Sequence, residues 1–239
     1  MSENKQREFS CFFGNMCLAL IALWIVLTVI YLLQPDALSP GISFPGTIGI
    51  DGIKRFWSAG PNASVIHIML HVMAIITAIF MIVQAKTLSP AVKSLYNRVG
   101  EIVLYISQFI QIVSNLRYLS MEKAYSNIFP LHNGEISNLL VSASLSLPID
   151  PYGVFEFGGV GIWVLSIMIF LGIELDLFPL FLLSGAITTI GFFCMVAGTM
   201  YSSWLKEIAP FVAPPALCLW LFILYINRRK LADAAIQLA

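Results

Sequence analysis

Long apolar runs recur along the chain, and shorter polar stretches separate them. A transmembrane helix needs about 20 consecutive, mostly apolar residues to cross a hydrocarbon core about 30 Å thick. Such runs are expected to be helical because lipid offers backbone polar groups no water partners. The pattern predicts helices at Cys11–Leu33, Ser64–Gln84, Glu101–Leu119, Gly158–Ile173, Pro179–Ser202 and Ile208–Asn227. We therefore expect one all-α membrane domain over residues 1–239, a polytopic bundle of six transmembrane helices.

The composition agrees with this pattern and narrows the classes of function. Hydrophobic residues make up 59% of the chain and charged residues 11%, against about 45–50% and about 25% in a typical soluble domain. Basic and acidic residues number 13 each, so no global field favours nucleic acid, and the lipid bilayer is the expected partner. The sequence contains no phosphate loop, dinucleotide fingerprint or hydrolase motif. It names no small-molecule or protein partner, and it favours a non-enzymatic protein.

Lysine and arginine flanking the predicted helices indicate the orientation. With a cytoplasmic N-terminus, the inside carries eight of them and the outside carries five. The inner set ends with Arg228, Arg229 and Lys230, directly after the last predicted helix. Cytoplasmic loops are enriched in Lys and Arg, so both termini are predicted to be cytoplasmic. The two longest connections, Gln34–Ala63 and Ser120–Phe157, then lie outside and are expected to form a cap.

The third predicted helix carries polar side chains through the apolar region. Five of them recur at intervals of three or four residues, and we call this set the polar stripe: Glu101, Tyr105, Gln108, Gln111 and Asn115. This spacing keeps them on one face of a helix. Because polar groups in lipid are costly, the face is expected to point into the bundle. It would serve either hydrogen bonding between helices or the binding of a ligand.

Three histidines raise the question of a metal site. His67 and His71 are spaced i and i+4 on the second predicted helix, so their side chains leave the same face, and His132 lies in an outer connection. Such a trio could bind a metal ion, and a haem could take one histidine together with a ligand from another helix. The alternative is hydrogen bonding. In an antiparallel pairing of the second and third helices, counted depths place His71 near Gln111 and His67 near Asn115.

The C-terminal part of the chain resembles a family of bacterial membrane proteins. Its segments DPYGVFEFGGVGIWVLSIMIF, FPLFLLSGAITTIGFF and APPALCLWLFILYINRR are similar to uncharacterised six-helix proteins with a domain of unknown function. The resemblance covers about the last 90 residues. The matching positions are Asp150, Gly153, Gly161, Trp163, Pro179, Gly185, Pro214 and Trp220. It implies a location in the bacterial inner membrane and brings no known activity, cofactor or catalytic residue.

These features lead to three hypotheses of function. The preferred one is a multi-pass membrane protein that binds or senses a small or lipidic ligand, or supports a membrane partner. A small transporter is the first alternative, because the polar stripe runs along a whole predicted span. A metal- or haem-dependent oxidoreductase that uses His67 and His71 is the second. The preferred hypothesis requires no cofactor.

Overall fold

The structure, a computed structural model, describes residues 3–32, 61–92, 95–128, 150, 154–174, 179–201 and 203–237. Over these residues the chain forms seven α-helices and one 3₁₀ turn, Ser89–Ala91, without any strand. The helices are α1 (Glu3–Leu32), α2 (Pro61–Leu88), α3 (Leu95–Ile128), α4 (Gly158–Glu174), α5 (Leu180–Tyr201), α6 (Ser203–Ile226) and α7 (Arg228–Gln237). The all-α class is therefore confirmed for the described part of the chain.

Four of the described helices are long and apolar enough to cross a membrane. Their apolar segments are Gln6–Ile30, Ile68–Ala91, Asn97–Arg117 and Leu180–Gly198. The corresponding described segments of α4 and α6, Gly158–Leu171 and Phe211–Ile226, are apolar but shorter. Four of the six predicted spans therefore correspond to described helices that are long enough to cross a membrane.

The long helices pack as a closed ring. Each of α1 to α6 packs against the next one in the sequence, and α6 returns to pack against α1. Large apolar side chains are exposed on the outer surface of every one of these helices, including Ile25, Val65, Phe109, Ile169, Ile190 and Phe211. Exposed apolar surface on this scale is expected where a protein meets lipid. The apolar helices and their apolar outer surface indicate a membrane protein.

Three aromatic side chains fill the space between α4, α5 and α6. Trp163 and Trp220 meet edge to face with ring centroids 5.5 Å apart. Phe181 stacks on Trp220 at 5.8 Å. All three are fully buried, and we call them the aromatic core.

The helix that carries the polar stripe is longer than the apolar pattern predicts. α3 continues to Ile128, so residues 120–128 are helical and not part of a connection. The predicted end was wrong because hydropathy marks only the membrane-embedded part of a helix, which can extend into water. α2 likewise begins earlier, at Pro61, where proline is tolerated because the first helical turn needs no N–H partner. Of the rest of the predicted cap, only Asp150 and residues 154–157 are among the described residues.

The beginning and the end of the described chain meet at one end of the bundle. Gln6 of α1 donates a side-chain hydrogen bond to Asp233 of α7. Leu231 and Ala232 of α7 are fully buried, because α7 packs against α1 and the 3₁₀ turn. We call this the terminal end. The opposite end, where α1 ends and α2 begins, is the loop end.

Candidate functional site

The polar stripe of α3 is mostly buried. Glu101, Gln108 and Asn115 are buried, whereas Tyr105 and Gln111 are half-buried. Glu101 and Asn115 are 14 positions apart in the sequence, so about 21 Å of helix separates them. The structure divides the stripe into separate groups of contacts and does not gather it into one site.

Glu101 belongs to the terminal end. Its carboxylate accepts hydrogen bonds from Ser89 of the 3₁₀ turn, at 2.9 Å, and from Tyr105 one turn further along α3. Asn97 Nδ2 donates to the Val92 carbonyl, at 2.9 Å, in the same connection between α2 and α3. Glu101 and Tyr105 therefore hold the α2–α3 turn.

The α2–α3 hairpin is confirmed, but its predicted register is wrong by one helical turn. His71 Nδ1 lies 2.7 Å from Asn115 Oδ1, whereas the count of depths placed His71 near Gln111. Asn115 Nδ2 donates to the Gln111 carbonyl at 2.7 Å, so the Asn115 oxygen faces the imidazole and Nδ1 carries the proton. The error came from counting depth from Ser64 and Leu119, since both helices extend beyond those residues.

Of the three proposed metal ligands, only the side chain of His71 is among the described residues. The side chain of His67 and all of His132 lie outside the described residues. Among the residues that are described, no group of three or more His, Cys, Asp or Glu side chains could hold a metal ion. A metal ion bound by His67, His71 and His132 stays a prediction, as does a haem bound by one histidine together with a ligand from another helix.

A second polar group lies where α3 meets the start of α4. Gln108 Nε2 donates to Ser107 Oγ at 3.1 Å, and Ser107 Oγ donates to the carbonyl oxygen of Glu156 at 3.0 Å. The helices approach closely here because Gly159 has no side chain. A Cβ atom on Gly159 would lie 2.4 Å from Ser107 Cβ. Ser107 therefore contacts the backbone that leads into α4.

Asp150 organises that backbone. Its carboxylate accepts hydrogen bonds from the N–H groups of Val154, Phe155 and Glu156, at 2.9, 2.8 and 2.9 Å. These donors have no partner within a helix because they precede its first turn, so an acceptor side chain stabilises them. Asp150 is 5% exposed. Both of its oxygens are occupied by the turn.

Glu156 completes what we call the junction cluster, consisting of Ser107, Gln108, Asp150 and Glu156. Glu156 is half-buried, and no described residue donates a hydrogen bond to its carboxylate. Desolvation by the surrounding protein, followed by the nearby charge of Asp150, raises the pKa of Glu156 to about 7. The side chain can therefore gain or lose a proton near neutral pH.

The polar stripe predicted only Gln108 of this cluster. Asp150 was noted in the resemblance of the C-terminal half and received no role there, while Ser107 and Glu156 were missed. The sequence does contain a feature that could have drawn attention to Glu156. It is the last charged residue before Glu174, at the far end of α4. Its proximity to α3 depends on the α3–α4 contact, which no local pattern reveals.

Comparisons with known proteins identify no relative of this chain. No family model matches the chain, and no curated protein or solved structure is detectably similar to it. The resemblance of the C-terminal half to uncharacterised bacterial membrane proteins stays an expectation. The function of the chain is therefore inferred from its own geometry.

Proposed function

We propose that the chain is a six-span protein of the bacterial plasma membrane with both termini in the cytoplasm. The shorter apolar helices α4 and α6 would complete the ring as spans, and neighbouring helices would alternate in direction. The contact between Gln6 and Asp233 supports an even number of spans. The excess of Lys and Arg on the same side supports the orientation.

Within this protein the junction cluster binds a small cationic ligand without catalysing a reaction. The observation that carries this proposal is a pair of neighbouring carboxyl groups. The Asp150 carboxylate is already hydrogen-bonded, whereas the Glu156 carboxylate is not. Asp150 uses both oxygens on the turn before α4. The Glu156 carboxylate receives no hydrogen bond from the described residues and can exchange its proton for a cation.

The chemistry of the neighbours favours a small organic amine over a bare metal ion. The oxygens of Ser107 and Gln108 and the backbone carbonyl of Glu156 could accept hydrogen bonds from an ammonium group. The ionised form of Glu156 would supply the opposite charge. A ligand held in this way competes with a proton, so binding weakens as the pH falls below about 7.

Titration of the purified full chain with a panel of small amines tests the proposal. Calorimetry in buffers of different ionisation enthalpy should show that proton release accompanies binding near pH 7. Glu156→Gln should abolish binding and proton release, whereas Glu8→Gln, at an exposed carboxylate of α1, should change neither. Equal binding by both variants would overturn the proposal.

A small transporter is the second candidate, and the length of the polar stripe favours it. Polar groups run along α3 from Glu101 near the terminal end to Asn115 near the loop end, over about 21 Å. A transported ion could move between such groups. Proteoliposome uptake of a labelled amine would separate the two candidates, because a binding protein would saturate without accumulating the amine inside.

A further inference from the structure

The terminal end of the bundle contains a cavity that is separate from the junction cluster. It has a volume of about 750 Å³ and lies between the start of α1, the end of α6 and α7. Residues from all three elements line it, among them Gln6, Arg7, Tyr225, Arg228, Arg229 and Asp233. The cavity is open to its surroundings, so a ligand can enter it.

The charge that lines this cavity is mainly positive. Among the described lining residues, Arg7, Arg228 and Arg229 contribute three guanidinium groups, against the single carboxylate of Asp233. That carboxylate already accepts a hydrogen bond from Gln6. Within the described residues, no carboxylate forms an ion pair with any of the three arginines. The cavity therefore has positive charge available for an anion.

Arg228 is held in place before any ligand binds. Its guanidinium carbon lies 4.4 Å from the centre of the Tyr225 ring, in a cation–π contact. Its Nη1 donates to the Tyr225 carbonyl at 2.9 Å. The side chain passes over Gly14, where an added Cβ would lie 2.7 Å from Arg228 Cδ. A fixed guanidinium loses less conformational entropy when it binds an anion.

Exposed apolar side chains lie about one helical turn beyond the lining residues Gly14 and Tyr225, towards mid-height of the bundle. Leu18 follows Gly14 by about one turn on α1, and Phe222 precedes Tyr225 by about one turn on α6. Leu18 is 42% exposed and Phe222 is 46% exposed. Phe222 also stacks on Tyr225, with ring centroids 6.2 Å apart. A polar, cationic site at the helix ends is thus followed by an apolar surface.

We propose that this cavity binds the phosphate headgroup of an anionic phospholipid, with an acyl chain lying along Leu18 and Phe222. Arginine suits a phosphate because its planar fork can donate two parallel hydrogen bonds. The apolar continuation selects a lipid over a free phosphate ion. The site lies at the terminal end, whereas the junction cluster lies at the level of Ser107, near the middle of the apolar segment of α3. The lipid proposal does not depend on the function proposed for that cluster.

Native mass spectrometry of the detergent-purified full chain tests the site. Phosphatidylglycerol should bind more tightly than phosphatidylcholine. The double variant Arg7→Gln/Arg228→Gln should weaken phosphatidylglycerol binding by about tenfold or more, since each basic residue near a membrane surface contributes about fivefold. The matched control is Arg98→Gln, an exposed arginine at the start of α3, which should leave binding unchanged. An equal effect of the control would overturn the proposal.

A second variant separates loss of the site from loss of the fold. Gly14→Ala keeps every charge but displaces Arg228 from its position over Tyr225. It should weaken phosphatidylglycerol binding severalfold while the far-ultraviolet circular dichroism stays that of the parent protein. Unchanged binding by Gly14→Ala and by the double variant would mean that the cavity does not hold the headgroup.

Competition identifies the source of the phosphate. Inorganic phosphate and glycerol phosphate at millimolar concentration should not displace phosphatidylglycerol, because neither contacts Leu18 or Phe222. Phe222→Ser should weaken lipid binding severalfold for the same reason. Displacement by inorganic phosphate, together with no effect of Phe222→Ser, would assign the cavity to a free anion and overturn the lipid proposal.

Discussion

The aromatic core and the junction cluster both attach α4 to its neighbours, yet they are built on opposite principles. The aromatic core joins α4 to α5 and α6 through Trp163, Phe181 and Trp220. The junction cluster joins α3 to the start of α4 through hydrogen bonds to backbone groups. Ring contacts attach α4 to α5 and α6, and directional polar contacts attach the turn before α4 to α3.

This difference separates residues that stabilise the bundle from residues that are available to a ligand. A buried indole contributes many dispersion contacts, and its removal leaves a void. A hydrogen bond in a membrane protein contributes about 0.6 kcal/mol on average. Substitutions in the aromatic core should therefore cost stability, whereas substitutions in the junction cluster should mainly alter binding and pH dependence.

The largest effect is expected at Trp220. Trp220→Ala should lower the free energy of unfolding by about 3 kcal/mol or more, because it removes the ring that both Trp163 and Phe181 contact. Unfolding of the purified protein in a denaturing detergent, followed by circular dichroism, measures this. Trp204→Ala on the same helix is the control, since Trp204 is 60% exposed. Equal losses from both variants would remove the distinction between core and surface.

The close approach of α3 and α4 predicts the next effect. Gly159→Ala should destabilise the protein by about 1–3 kcal/mol, because the new Cβ would lie 2.4 Å from Ser107 Cβ. Gly158→Ala should be nearly neutral, since its Cβ would meet nothing closer than 3.8 Å. Adding Ser107→Gly to Gly159→Ala should restore part of the loss. No restoration in this double-mutant cycle would contradict the contact.

The pH dependence of stability tests Glu156. The pKa of its carboxyl group is raised from 4.5 to about 7 in the folded protein, so the folded state holds this proton more tightly than the unfolded state does. Its contribution to stability is complete below pH 4.5, decreases as the pH rises, and is lost above pH 7. The loss should be on the order of 1 kcal/mol, because a half-buried carboxyl group keeps part of its solvent screening.

Glu156→Gln should flatten this slope between pH 4.5 and 7. Glu8→Gln should leave the slope as it is in the parent protein. Detergent-unfolding curves at several pH values give the comparison. A slope that survives in Glu156→Gln would assign the titration to another group.

The smallest effect is expected for the pair of His71 and Asn115. A double-mutant cycle with His71→Phe and Asn115→Leu should give a coupling free energy of about 0.6 kcal/mol, the usual value for a hydrogen bond between membrane helices. The unfolding measurement used for Trp220 provides it. A coupling that appears only when a divalent metal is added would favour the metal interpretation of the histidines.

Much of the helical architecture could be predicted from the sequence, because apolar length alone determines where a helix can lie in lipid. The start of α4 at Gly158 and the end of α5 at Tyr201 follow from that rule. The extension of α3 to Ile128 does not, because residues after Leu119 leave the apolar region and their helical state is not fixed by hydropathy.

The candidate site was less predictable than the fold. The burial of Gln108 and Asn115 followed from spacing on one helix. The meeting of Ser107 with Glu156 depends on how two helices cross, and the sequence around either residue does not encode that crossing by itself. The same limit explains the error at His71. The pairing of α2 with α3 was predicted correctly, but His71 meets Asn115, one helical turn from the predicted Gln111.

The closed ring also has a consequence for how the protein is made. α6 packs against α1, so α1 meets one of its two ring neighbours only after α2 to α5 have been synthesised. At about 5–20 residues per second, on the order of ten seconds or more pass between the two events. During that interval the Gly14 side of α1 is without Arg228 and Tyr225, and the insertion machinery or surrounding lipid must cover it.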